Sequence, residues 1–103
     1  MSIQKKILKS KPVCKVTFRI PPEIGENYKT ASVVGDFNSW NHKKHRMTKL
    51  KKDGSFSIIL DLETGKEYQF RYLLDGKEWS NDSQADKHVT THFGDSENSV
   101  LVL

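Results

Sequence analysis

A chain of 103 residues accommodates one domain with a single hydrophobic core, and it leaves no room for a catalytic barrel beside that domain. Charged residues make up 29% of the sequence and apolar residues 35%, which indicates a soluble protein with a thin core. The net charge of +4 would suit nucleic acid or an acidic partner, but an excess of this size is more often solvated surface.

The compartment is constrained by the cysteine content and by the hydropathy. Cys14 is the only cysteine, so an internal disulfide is excluded, and a lone thiol favours a reducing compartment. Residues 1–11 contain no apolar run of signal-peptide length, and no segment could span a membrane. We therefore expect a cytoplasmic protein without a membrane partner.

The first twelve residues lack a clear period. Ile3, Ile7 and Leu8 are interleaved with lysines, and the segment has no helix caps. Residues 1–12 could form a mobile arm, a turn docked on the surface or a helix, and the sequence does not decide between these. We expect the folded domain to span residues 13–103.

The rest of the chain shows the alternation of half-buried strands. Ala31 begins a strand that leads to Gly35, and residues 100–103 form the last strand. Met47 and Leu50 are expected to pack onto the core, whereas residues 81–98 read as a long polar stretch. The inward-facing residues of three further strands are Cys14, Val16, Phe18 and Ile20, then Phe56, Ile58, Leu60 and Leu62, then Tyr68, Phe70, Tyr72 and Leu74.

Turn signals recur at the spacing typical of short antiparallel strands. They are Asp53-Gly54, Thr64-Gly65 and Asp75-Gly76, and no segment has a sustained helical period. The sequence therefore predicts an all-β protein with an immunoglobulin-like β-sandwich.

Two tryptophans are the strongest candidates for a binding site. Trp40 and Trp79 each follow a strand, and each has asparagine and serine nearby. An indole can stack on the C–H face of a pyranose ring while amides and charged groups bind its hydroxyls. From position alone, exposure and a core-filling role are about equally plausible for each ring.

Two polar residues add to this candidate site. Arg71 lies on the outward face of the strand that leads to Trp79, so its guanidinium could reach the same ligand. Asn98 precedes the last strand and could bring an amide to the same edge. Either residue alone would be an ordinary surface residue.

Other chemistry is poorly supported. The spacing of His42 with His45, and of His88 with His92, suggests metal pairs that lack further ligands, so we expect no metal or cofactor. The basic run at residues 43–52 would suit phosphate, but no RNA-recognition strand accompanies it, and we expect no nucleic-acid partner. No nucleophile elbow, phosphate loop or carboxylate pair points to an enzyme.

Three segments together resemble carbohydrate-binding module family 48. They are residues 34–40 (VGDFNSW), 68–79 (YQFRYLLDGKEW) and 98–102 (NSVLV). The family includes the N-terminal "early set" domain of isoamylases and glycogen branching enzymes, and the glycogen-binding domain of the AMP-activated protein kinase β subunit. The resemblance runs from about Val13 to the end of the chain and implies an immunoglobulin-like sandwich of the early set type.

The resemblance also implies roles for individual residues. Trp40 and Trp79 correspond to the tryptophans that stack on glucose units, and Arg71 takes the place of a sugar-binding lysine. Asn98 matches an asparagine that precedes the final strand. Phe93 stands where the kinase module has a leucine that projects into the curve of the glucan.

The function we expect is non-catalytic binding of α-1,4-glucan, such as glycogen, starch or maltooligosaccharide. The alternative is a protein-interaction module that holds a glucan-metabolising enzyme and makes no sugar contact. Many family members are fused to enzymes and serve mainly to pack against them, which keeps this alternative open.

Overall fold

The computed structural model describes residues 1–91 and 96–103. Within these residues the chain forms two antiparallel sheets, and no helix there is long and apolar enough to cross a membrane. Short helical turns occur at α1 (Pro22–Gly25) and at the 3₁₀ turn Asp36–Asn38. The strands are β1 (Ser2–Ile7), β2 (Val13–Ile20), β3 (Ala31–Gly35), β4 (Thr48–Lys49), β5 (Phe56–Glu63), β6 (Glu67–Leu74), β7 (Glu78–Ser80), β8 (Lys87–Thr90) and β9 (Glu97–Val102).

The two sheets form the predicted immunoglobulin-like sandwich. The first sheet has the order β1-β2-β5-β4. The second has the order β3-β6-β9-β8, and β7 also pairs with β6. All of these pairings are antiparallel, so the fold class expected from the turn spacing is confirmed.

The core lies between the sheets and is rich in aromatic rings. The ring of Phe18 in β2 meets those of Phe70 and Tyr72 in β6 edge-on, at centroid distances of 5.3 and 6.4 Å. Phe37, in the 3₁₀ turn, packs beside Phe18 and against the core. The inward faces predicted for β2 and β6 are confirmed, as is the burial of Cys14.

The N-terminal segment differs from its expected forms. Residues 2–7 are a strand, β1, that runs antiparallel to β2 with Ile3 opposite Phe18. Lys5 forms an ion pair of 2.6 Å with Asp86, which lies just before β8 of the other sheet. The strand forms because pairing with β2 satisfies the hydrogen-bonding groups of its backbone. The weak apolar pattern of the segment does not reveal this pairing.

Two local expectations were wrong. Leu50 is 53% exposed because it lies in the turn at the tip of the β4–β5 hairpin, whereas Met47 is buried as predicted. The polar stretch after Trp79 contains the strand β8, which pairs with β9. Because β8 is an edge strand of mostly polar residues, it lacks the alternation that identifies half-buried strands.

Gly35 sets the path of the chain beyond β3. A Cβ at this position would lie 2.4 Å from the backbone oxygen of Gln69 and 2.7 Å from Cβ of Phe70. Only a residue without a side chain lets β3 approach β6 this closely. The loop that carries Trp40 therefore starts directly beside β6.

Candidate functional site

The outer face of the second sheet carries a depression that we call the tryptophan groove. It encloses about 360 Å³ and is lined by two indole rings, one from the loop after β3 and one from strand β7. Four of the five candidate residues from the sequence line it, while Phe93 lies outside the described residues. The lining consists of Trp40, Gln69, Arg71, Trp79, Thr90, Thr91 and Asn98.

Trp40 is held in an uncommon backbone conformation. Both Ser39 and Trp40 have positive φ, at 55° and 59°. Such angles cost about 1–3 kcal/mol for non-glycine residues, so surrounding contacts must fix them. The amide of Trp40 donates to the oxygen of Gly35 at 2.9 Å, which closes the loop beneath the indole.

Asp36 orients the indole of Trp40 from the side. Its Oδ1 accepts a hydrogen bond of 3.0 Å from Nε1 of Trp40. Its Oδ2 accepts one of 2.8 Å from the amide of Gln69 in β6. One carboxylate thus joins the ring to the neighbouring strand. Apart from the position of Asp36 in the motif, nothing in the sequence indicates this role.

A buried amide supports the same loop from below. Asn38 is 4% exposed, and its Oδ1 accepts a hydrogen bond of 3.1 Å from the amide of Gly35. Its Nδ2 donates to the oxygen of Val33 and contacts Nδ1 of His45 at 2.9 Å. Burial, with a smaller contribution from the charge of Lys44, lowers the pKa of His45. The lowered pKa favours a neutral ring whose Nδ1 accepts from Asn38.

Trp79 is presented by the β6–β7 hairpin. It lies directly opposite Leu73 and is 48% exposed, so the ring is available to a ligand. Next to it, the Glu78 carboxylate accepts a hydrogen bond from the hydroxyl of Tyr28, which raises the pKa of that hydroxyl. Oδ1 of Asp75 accepts from the amides of residues 29 and 30 and fixes the start of the hairpin loop.

A row of polar side chains forms the floor between the two indoles. Nε of Arg71 donates to Oδ1 of Asn98 at 2.6 Å. Nδ2 of Asn98 donates in turn to Oε1 of Gln69 at 2.9 Å. Gln69 was not predicted as a site residue, although its two-residue spacing from Arg71 places both on one face of β6. Thr90 was hidden in the unrecognised strand β8.

A buried network beneath this floor fixes β9 and the segment before β8. Asp82 is fully buried, and its Oδ2 accepts a hydrogen bond of 2.8 Å from the hydroxyl of Tyr72. The amide of Asp82 donates to Oγ of Ser99 at 2.8 Å, and that hydroxyl donates to Oδ1 of Asn81. Burial and the neighbouring Asp82 raise the pKa of Tyr72 well above its ordinary value, so the hydroxyl stays protonated.

Metal binding finds no support in the described part of the chain. No group of three or more histidine, cysteine, aspartate or glutamate side chains is placed there to hold an ion. His45 contacts Asn38, and His88 contacts the backbone oxygen of Asp82 at 2.7 Å. The partner of His88 in the second histidine pair, His92, lies outside the described residues.

The groove thus combines two apolar ring faces with fixed amide and guanidinium groups. This arrangement suits a ligand that has flat apolar faces and hydroxyl edges. The polar groups are held by one another, so their orientation is set before a ligand arrives.

Comparisons with known proteins agree with this geometry. Residues 25–103 match the family described as the glycogen recognition site of AMP-activated protein kinase.

The chain is also similar to three enzymes named 1,4-alpha-glucan branching enzyme GlgB. That of Bacillus cytotoxicus is 43% identical over 47 residues, which is 46% of this chain and 7% of the enzyme. That of Bacillus cereus is 37% identical over 41% of this chain and 7% of the enzyme. That of Photobacterium profundum is 40% identical over 43% of this chain and 6% of the enzyme.

Proposed function

This chain belongs to the family of the glycogen recognition site of AMP-activated protein kinase, and on that premise we propose that it is a non-catalytic module that binds α-1,4-glucan. The observation that carries the proposal is the joint placement of two indoles and a polar row in one groove. Glycogen, starch and maltooligosaccharides all present the required ring faces and hydroxyls.

The proposed contacts follow from the chemistry of the groove residues and of the glucan. The indoles of Trp40 and Trp79 stack on glucose units, because the C–H face of a pyranose ring is apolar. Arg71 uses one N–H for Asn98 and has further donors for sugar hydroxyls. An open groove that contacts only a few rings gives weak affinity, on the order of micromolar to millimolar Kd.

Binding without hydrolysis is supported by the composition of the lining. Most glycoside hydrolases use two carboxylates that flank the scissile bond. Among the described residues that line the tryptophan groove, none is an aspartate or a glutamate. The nearest carboxylate along the Trp40 loop, Asp36, is occupied by the indole and by the amide of Gln69.

The proposal is tested by tryptophan fluorescence of the pure protein, titrated with β-cyclodextrin and with maltoheptaose. We expect a saturable change with both α-glucans and none with cellohexaose, whose β-linkages give a straight chain. Trp40→Ala and Trp79→Ala should each weaken binding to glycogen about tenfold or more, because stacking on each ring supplies a large share of a small binding free energy.

The matched control is Ile59→Ala, which removes an apolar side chain that is 58% exposed on β5 of the opposite sheet. This variant should bind glycogen like the unaltered protein. Unchanged glycogen binding in both tryptophan variants would show that the groove is not the glucan site.

A second candidate function is supported at the far end of the sandwich. Ile7 is 72% exposed and Val102 is 41% exposed, and both line an apolar depression of about 240 Å³. Because the similar proteins are branching enzymes, a surface of this kind could hold a glucan-metabolising enzyme. Ile7→Lys would then abolish co-purification with such an enzyme from the host without changing glycogen binding. Retained co-purification would count against this surface.

A further inference from the structure

A second depression adjoins the tryptophan groove on the same sheet. It encloses about 410 Å³, and we call it the basic depression after its lining residues Thr30, Ser32, His42, Lys43, Arg46, Leu73 and Gly76. Leu73 in its lining pairs directly with Trp79 of the groove. His42 follows Trp40 by two residues, a separation of at most about 7 Å along the chain. One glucan chain can therefore contact both depressions.

The basic segment is anchored rather than loose. Arg46 forms an antiparallel bridge with Ser32 of β3. The amide of Val33 donates to the oxygen of His45 at 3.1 Å, and the amide of Met47 donates to the oxygen of Ala31 at 2.8 Å. These bonds extend the second sheet beyond β3 and hold the Arg46 backbone at the rim of the basic depression.

The structure divides the basic run of the sequence into separate groups. Lys49 has a structural role, since its Nζ donates to the oxygen of Tyr28 at 2.6 Å and lies 5.3 Å from the ring centroid of Phe56. Lys51 and Lys52 lie in the exposed turn of the β4–β5 hairpin, which belongs to the other sheet. Of this run, Lys43 and Arg46 line the basic depression.

The two cations of the basic depression are Lys43 and Arg46. In residues 1–91 and 96–103, the ion pairs use Lys5, Lys15, Arg19, Lys66 and Lys87, and none involves Lys43 or Arg46. Asp75 adjoins the depression, but its Oδ1 accepts from the amides of residues 29 and 30. These hydrogen bonds, with the charges of Lys77 and Lys29, lower the pKa of Asp75.

We propose that the basic depression binds a phosphate monoester carried by the glucan chain that occupies the tryptophan groove. A neutral sugar leaves the charge of a lysine or an arginine unpaired, whereas a phosphate pairs with that charge and accepts charge-assisted hydrogen bonds from both residues. The hydroxyls of Ser32 and Thr30 are further donors in the same lining. This inference rests on the proposed function, and it names the substrate class as phosphorylated α-glucan.

The test compares amylopectin that carries phosphate esters with the same preparation after phosphatase treatment, by affinity electrophoresis of the purified protein. We expect the phosphorylated form to bind about three- to tenfold more tightly at low salt. The preference should shrink at about 1 M salt, where exposed charges are screened, while neutral binding persists.

Substitutions test whether the basic depression causes the preference for phosphorylated amylopectin. Lys43→Gln and Arg46→Gln should remove it and leave the affinity for neutral amylopectin unchanged. Lys51→Gln and Lys52→Gln remove equal charge from the other sheet and should leave the preference intact. A circular dichroism spectrum equal to that of the unaltered protein checks that Arg46→Gln still folds.

The possible failures are distinguishable. Equal binding of both amylopectins would overturn this inference and leave glucan binding intact, whereas no binding of either would overturn the proposed function and the inference with it. A preference that survives Lys43→Gln and Arg46→Gln would place the phosphate elsewhere. Equally tight binding of DNA, lost in the same variants, would mark a general polyanion surface and also overturn the proposal.

Discussion

The indole Nε1 of Trp40 donates a hydrogen bond of 3.0 Å to Oδ1 of Asp36, four residues earlier in the same loop. The other carboxylate oxygen accepts from the amide of Gln69, so the ring is coupled to β6 through one side chain. A tryptophan with φ of 59° needs such support, because that backbone conformation is unfavourable for a bulky residue.

Asp36→Ala should weaken glucan binding about three- to tenfold, because the indole of Trp40 loses its fixed orientation. Asp36→Asn retains one oxygen acceptor and should recover part of the affinity. The measurement is fluorescence titration with maltoheptaose, with acrylamide quenching to report ring mobility. Asp61→Ala, which removes an exposed carboxylate of β5, is the control and should change neither value. Full affinity in Asp36→Ala would show that the ring needs no such positioning.

Arg71 and Asn98 should act as a unit in glucan binding, because they share a hydrogen bond of 2.6 Å. In a double-mutant cycle of Arg71→Met and Asn98→Ala, we expect a coupling free energy of about 1 kcal/mol. The readout is the Kd for maltoheptaose in all four proteins, measured by calorimetry. Strictly additive losses would mean that each side chain contacts the sugar independently.

Tyr72→Phe should destabilise the fold by about 1–3 kcal/mol, because it leaves the fully buried Oδ2 of Asp82 without its donor. Urea unfolding with an unchanged m-value measures this loss. Tyr68→Phe is the matched control, since its hydroxyl donates to a backbone oxygen, of Glu63, at the margin of the core. An equal or smaller loss in Tyr72→Phe would contradict the importance of the buried network.

His45 should make the stability pH-dependent. Its pKa in the folded state lies below the ordinary value of 6.5, chiefly because of burial. The unfolded chain therefore binds more protons than the folded chain between these two values. The resulting stability is fully present above pH 6.5 and is lost as the pH falls through the lowered pKa.

His45→Gln removes this titration while it keeps an oxygen that can accept from Asn38. The drop in thermal midpoint from about pH 7.5 to about pH 5.5 should therefore be smaller in this variant. His42→Gln, at an exposed position nearby, should retain the full drop. The same drop in all three proteins would exclude His45 as the cause.

The strands that the sequence predicted correctly have a strong local pattern. In β2 and β6, apolar residues occupy every second position, and one face of each strand packs into the core. In β1 and β8 the same backbone geometry arises without that pattern, because an edge strand is stabilised by pairing with its neighbour. The strand propensity of the residues and the alternation of apolar with polar positions both reflect the burial of side chains. They therefore do not identify strands whose side chains are mostly exposed.

The candidate site likewise contains some residues that the sequence identified and others that only the structure reveals. Trp40, Arg71, Trp79 and Asn98 could be chosen from the sequence because of their residue types, their strand ends and a resemblance to a known family. The supporting contacts of Asp36 and Gln69, and the burial of Asp82, depend on which strands lie side by side. No local pattern carries that information, because cross-strand contacts join residues that are distant in the chain.

The fold class, the faces of the main strands and the family could be read from the residues alone, because side-chain period and turn chemistry are local properties. That the four predicted side chains share one groove, and that the basic run divides between two sheets, became visible with the folded chain. Both features depend on the register of β3, β6 and β9, which long-range packing and buried hydrogen bonds fix.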